Sequence, residues 1–448
     1  MKKLLTLFTL LPLAACGGDD SLTGDDTPAP DAAPTPDAPP GSMIIDVPGG
    51  DLTGDITWEA RNTYVLKGYV FMTSGTLTIE PGTVIKGDNG SALAITKEAK
   101  LNAVGTAAKP IVFTSSSTPA TPGSWGGVVL LGKAPINVVG GTNAVEGFPT
   151  SYGERIVYGS ATPNPAHDCG KLKYARIEYA GFLLSPDNEL NGLTVGGCGS
   201  ATQLDYIQVH LGQDDGVEMF GGTANLSHIV ITQPDDDGLD WDRGWTGKVQ
   251  FLIVQQKPGR GDKAVEADNN NNDNELQPRS APEIWNATFI GGDGAAADPQ
   301  GGLHLRRGTA GKINNAIIAY FTKFAIDVDG ASSVGQFGAA TLAIKNTYLV
   351  KATNATSNWP ASFDGTGAGN DGSFDEAAQI GGDATNRLDV DPQLAAPKHL
   401  TAPSWKPATG SPVLTGCGTP PAGLDTSATF CGAIGATDWT AGWTAFPN

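Results

Sequence analysis

The chain has 448 residues, with 28 Lys and Arg against 47 Asp and Glu, a net charge of −19. An excess this acidic argues against nucleic acid as a partner and against electrostatic attachment to anionic lipid, and favours cations or cationic groups. The 60 glycines and only 4 methionines, with little helical patterning, point to β structure with many turns.

Residues 1–15 read as a targeting segment. Lys2 and Lys3 form a basic start, and Leu4 to Leu13 form an apolar run too short to span a bilayer. Leu13-Ala14-Ala15-Cys16 resembles the bacterial lipobox, which implies cleavage before Cys16 and lipid on that cysteine. An ordinary cleaved signal peptide with a chance cysteine is the alternative. Losing Lys2 and Lys3 takes the net charge to −21. Gly17-Gly18 after the cysteine lacks the adjacent acid of inner-membrane retention, which points to the outer membrane, on its periplasmic or its outer side. Residues 16–42 hold six prolines between Pro28 and Pro40 and almost nothing to bury, and read as an extended spacer.

From residue 43 to 350 the text is short strands punctuated by Gly and Pro-Gly, as in Leu77-Thr78-Ile79-Glu80-Pro81-Gly82-Thr83-Val84-Ile85. A barrel or sandwich shows the same punctuation, so fixed-register repetition decides. Leu204 precedes Val217, Leu226 precedes Leu239 and Ile313 precedes Ile326, each by thirteen residues. Leu172 with Leu193, Val249 with Val265 and Ile284 with Leu303 continue the two columns around longer loops. The pattern predicts an all-β fold, a right-handed parallel β-helix, in which one strand per coil begins near Leu204 and another near Val217. Asn286, Asn315 and Asn346 fall at one position of the first strand and predict an amide ladder between coils.

Four cysteines follow Cys16, an even number in an exported chain. Cys169 and Cys198 fall in the same turn of adjacent coils and predict a disulfide; two buried free thiols are the alternative. Cys417 and Cys431 are close enough to staple a terminal loop, and no spacing suits zinc. Residues 351–448 lose the repeat and are expected to cap the open solenoid. Trp439, Trp443 and Phe446 fit that cap, with an aromatic sugar platform as the sharper alternative.

The Leu77 to Gly87 phrase, the Trp125-Gly126-Gly127 to Pro135 phrase and the repeated stretch from Asp214 to Gly247 resemble bacterial exported β-helix proteins, among them leptospiral outer-membrane lipoproteins. At fold level the chain also resembles the pectin-lyase-like class. These resemblances imply a fold and an address and little about activity.

Two paired phrases carry the chemistry. Asp214-Asp215-Gly216-Val217-Glu218-Met219 recurs as Asp236-Asp237-Gly238-Leu239-Asp240-Trp241. In the second-strand column the inward residues are apolar, and the outward ones are Glu218, Asp240, Glu266, His304 and Asp327. A neighbouring column holds Phe220, Asp242, Asp268, Arg306 and Asp329. Three readings remain open. The face is a solvated acidic surface, with Arg306 as a structural ion pair between Asp268 and Asp329. Alternatively, Asp214, Asp215, Asp236, Asp237 and Asp240 hold Ca²⁺ with hard oxygen ligands, on a face that presents a glycan or protein ligand at the cell surface. In the third, Asp240, Glu266, His304 and Arg306 form a catalytic groove on a carbohydrate, the counterparts by type of the acids, His and basic residue of pectinolytic hydrolases. Gly302-Leu303-His304-Leu305-Arg306-Arg307-Gly308 departs from the phrases of those enzymes, and the negative charge speaks against polyuronates but leaves neutral glycans open.

Overall fold

The computed structural model describes residues 41–186, 188–294, 300–360 and 374–448. Parallel strands stack coil upon coil in the expected register: Leu204 pairs with Leu226 and then Val249, and Val217 with Leu239 and then Val265. Each coil has three faces rather than two. The strand that begins near Leu204 bends at its middle, where Tyr174, Tyr206, His228, Phe251, Asn286, Asn315 and Asn346 all take left-handed backbone, with φ from 47° to 64°.

Left-handed φ is unremarkable for Asn and costs about 1–2 kcal/mol for larger residues. The stack offsets that cost. The Tyr174 and Tyr206 ring centroids lie 4.3 Å apart, Tyr206 and His228 4.1 Å, and His228 and Phe251 4.8 Å; such pairs contribute about 0.5–1.5 kcal/mol each. The three sheets enclose one continuous core, including Leu204, Val209 and Val217 of a single coil, all buried.

The segment after residue 350 divides in two. Ile380, with Trp359 and Phe374 partly buried beside it, packs on the end of the main core. The rest does not cover the open end. Residues 389–448 run back along the side of the solenoid, until the carbonyl of Asn448 accepts from the Tyr179 hydroxyl at 3.3 Å. This strap has few sheet partners of its own, so side-chain amides of the coils satisfy its backbone. Gln208 donates to the Ala445 carbonyl at 2.7 Å and Gln255 to Pro397 at 2.9 Å. The predicted asparagine ladder is redirected for the same reason. Asn286 donates to the carbonyls of Ala428 and Phe430, and Asn315 to that of Gly418. Trp405 and Trp443 are each 1% exposed and, with Val413 and Ile434, pack on the outer faces of Val230, Ile253 and Ile290. Trp443 is therefore core, not a sugar platform.

A second insertion matters for function. Ile136, Val145, Phe148, Ile156 and Tyr158 pack on the outward face of Phe71, Ala94, Val129 and Leu131. The first half of the third sheet is thereby covered.

Both disulfides form, Cys169–Cys198 and Cys417–Cys431. The first joins adjacent coils across 29 residues of sequence. Replacing both Cys169 and Cys198 with Ala is expected to lower unfolding free energy by about 3–4 kcal/mol, from the loop it closes. Urea unfolding of the double variant measures this, and an unchanged midpoint contradicts it.

Candidate functional site: an acidic ladder on the third sheet

The third sheet presents Val217–Phe220, Leu239–Asp242, Lys263–Ala267, Gly301–Leu305 and Phe324–Val328 in succession. Pairing stacks Glu218 on Asp240, Asp240 on Glu266, Glu266 on His304 and His304 on Asp327. In the first two coils a glycine sets the turn before the strand. A Cβ on Gly216 would lie 2.3 Å from Ile231 Cγ2, and one on Gly238 2.4 Å from Val254 Cγ1. Glycine at these two positions lets the turn close over the second sheet, and the two Asp residues before it lie beside the groove.

This face is not a solvated one. Glu218, Asp215, Asp237 and Asp268 are 4–6% exposed, Asp327 7% and His304 8%. Asp240 and Glu266 are part-buried, and Asp214 lies at the rim beside the exposed Asp236.

The far half neutralises itself. Arg306 bonds Glu266 and, through Nε at 2.8 Å, Asp268; Arg307 adds a 2.6 Å contact to Asp268. Asp329 faces His304 at 3.6 Å rather than Arg306, which corrects the expected Asp268–Arg306–Asp329 pairing. His304 also lies 3.6 Å from Glu266. Lys263 pairs with Asp262 and approaches Glu266 at 3.6 Å. Asp242 is held by Arg243 at 3.2 Å.

The near half has no such partners. Among the described residues, Asp214, Asp215, Glu218, Asp236, Asp237 and Asp240 make no ion pair with Lys, Arg or His. Their oxygens converge: Asp214, Asp215 and Asp236 lie within 4.8 Å of one another, as do Asp215, Glu218 and Asp240, and Asp237, Asp240 and Glu266. Asp215 Oδ1 accepts the backbone N–H of Asp237 at 3.0 Å and Asp237 Oδ1 that of Lys263 at 2.6 Å, so one oxygen of each is committed to the next coil. Stacked charges about 4.8 Å apart repel by about 3–4 kcal/mol per pair at an effective dielectric of 20.

A model of the pectate-lyase like beta helix domain matches residues 50–406, most of the chain. The chain belongs to this family. No curated protein and no solved structure matches it, and nothing found supports the narrower kinship with leptospiral lipoproteins. Cys16 lies outside the described residues.

In this pectate-lyase-like β-helix the carboxyls of the near half and that of Glu266 shift in opposite directions. Burial pushes the Asp214 carboxyl up to about 8, with the Asp236 charge adding to it. Burial likewise raises Asp215, Glu218, Asp237 and Asp240 well above the carboxylate range, reinforced by their acidic neighbours. Burial also acts on Glu266, but His304, Arg306 and Lys263 outweigh it and hold that carboxyl at about 2. His304 is raised: burial opposes its charge, and the carboxylates of Asp329 and Glu266 prevail.

All five outward residues expected in one column stack there, joined by several contributors that were not expected. Asn191, 1% exposed, donates to Glu218 Oε2 at 2.5 Å. Glu146, on the insertion, comes within hydrogen-bonding reach of Glu218. Lys263 stands in register with Asp237, which in turn follows Asp215. That Lys–Asp–Asp column was visible in the spacing; Glu146 had no local signal, because its loop arrives by packing on a distant sheet.

Proposed function

We propose that this β-helix is a lipid-anchored envelope protein, held at the outer membrane through Cys16, whose acidic groove binds cations and through them a ligand at the cell surface. One observation carries the reading. Lys263 brings an ammonium to the third coil of the column, and no Lys among the described residues pairs with the two coils before it, where six converging carboxylates stand. Burial of uncompensated like charge is costly, and a bound cation removes that cost. An all-oxygen donor set suits Ca²⁺, with water completing a shell of six to eight ligands. The acidic surface favours adhesion to cationic or neutral partners and disfavours nucleic acid.

Thermal unfolding of the metal-free chain with and without CaCl₂ tests this. At calcium one hundred times its dissociation constant the expected stabilisation is about 2.7 kcal/mol, lost in Asp240→Asn. An unchanged melting temperature in wild type sinks the calcium reading.

A second reading has a specific observation behind it. Asp240 is raised and Glu266 on the next coil is held ionised, and pairs driven apart in this way divide acid and base roles. A neutral-glycan hydrolase using them loses turnover in Glu266→Gln; product analysis showing no cleavage of any glycan by wild type removes this reading.

A further inference from the structure

The third coil shows what cation the groove is shaped for. Lys263 Nζ lies between Asp262 and Glu266, on a side chain only 7% exposed. The register that stacks Val217, Leu239 and Val265 places Asp236 and then Asp214 over Asp262, and Asp240 and then Glu218 over Glu266. Among the described residues the same two-carboxylate cradle therefore occurs on three successive coils, and an ammonium fills only the third. In the two others the position of Lys263 is taken by Asp237 and Asp215, which adds an acceptor where the third has a donor.

An independent feature points to a ligand. Asn191 stacks on Asp215 and is 1% exposed; its amide nitrogen serves Glu218 and Thr194, yet its Oδ1 is buried without a hydrogen-bond partner among the described residues. Asp240 Oδ1, in the second cradle, is also buried and without a hydrogen-bond partner among the described residues. A primary ammonium has three donors and no acceptor. The convergent oxygens come in threes, as in Asp215, Glu218 and Asp240.

We propose that the groove recognises a ligand carrying two ammonium groups, at least one of them primary, one strand spacing apart, roughly 4.8 Å, one on each coil that lacks a lysine. That is the chemistry of an oligomer of unacetylated amino sugars or of a linear polyamine. The proposal rests on the cation reading above and names the cation's class. Calcium, on the same oxygens, competes with it.

Calorimetric titration of the whole mature chain with glucosamine trimer, N-acetylglucosamine trimer, spermidine and CaCl₂ tests this, at a pH where the amines are protonated. Glucosamine trimer or spermidine is expected to bind, the one that binds identifying the source. The acetylated trimer, equal in shape and without charge, is expected not to bind. Calcium should weaken the amine, and Asp214→Asn or Asp236→Asn, both at the rim, should weaken it tenfold or more. Calcium binding with no amine binding overturns this inference and leaves the cation reading standing. Equal binding of acetylated and free trimers also overturns it, and no binding by any of the four defeats both.

Discussion

Arg306→Ala is expected to destabilise the protein by about 3 kcal/mol or more, the largest effect of any single change in the groove. The guanidinium bonds Glu266 and Asp268 at once, and the side chains are 21%, 15% and 7% exposed respectively. Removing one partner from a buried pair leaves the other charges desolvated, which costs about 3–5 kcal/mol when burial is complete. Partial solvent access puts the expectation at the lower end. Urea unfolding measures it. Adding Glu266→Gln and Asp268→Asn to Arg306→Ala should recover a large part of the loss, because the uncompensated charge is then gone. A loss below about 1 kcal/mol, the range of exposed ion pairs, contradicts the assignment.

The second large effect is on pH dependence. Without added cation, stability should fall as pH rises from about 4 to about 8. Asp214, pushed to about 8, and Asp242, pushed to about 6, both by burial first, bind protons in the folded state that the unfolded chain has already released. Asp215, Glu218, Asp237 and Asp240 shift in the same direction. The folded state then holds more protons than the unfolded one, so unfolding free energy drops by about 1.4 kcal/mol per pH unit for each such proton. Glu266 acts oppositely, adding stability above its ordinary range that is lost as pH falls towards about 2. Chemical denaturation between pH 4 and 8 measures the slope. A cation that occupies the ladder should flatten it, since the bare carboxylates then ionise against the ion rather than each other. Stability that rises steadily across that range contradicts the uncompensated cluster.

How much of this was legible beforehand follows from the range of each interaction. The in-phase columns at Leu204 and Val217 were readable because a strand writes its two faces at period 2. The bend that makes a third face was not, because Tyr206, His228 and Phe251 carry no left-handed preference; they adopt it through stacking between coils. The strap escaped notice for a related reason. Gln208, Gln250 and Gln255 carry no local mark of burial, yet they are 0–3% exposed because a segment some 140 to 240 residues later lies on them. In the groove, the stacking of Glu218, Asp240 and Glu266 was predictable from register alone. Their burial was not, since it depends on surrounding loops such as the one that carries Glu146 against the first coil.

On the proposal above, the two coils carrying Asp215 and Asp237 form a cation site, while the coil carrying Lys263 does not need one. Calorimetric titration of CaCl₂ into metal-free wild type and into Asp215→Asn/Asp237→Asn tests it most directly. Saturable binding to wild type is expected, and its loss in the double variant, which should also be the more stable of the two proteins without calcium at pH 8. No heat of binding to wild type, or equal binding to both, would contradict it.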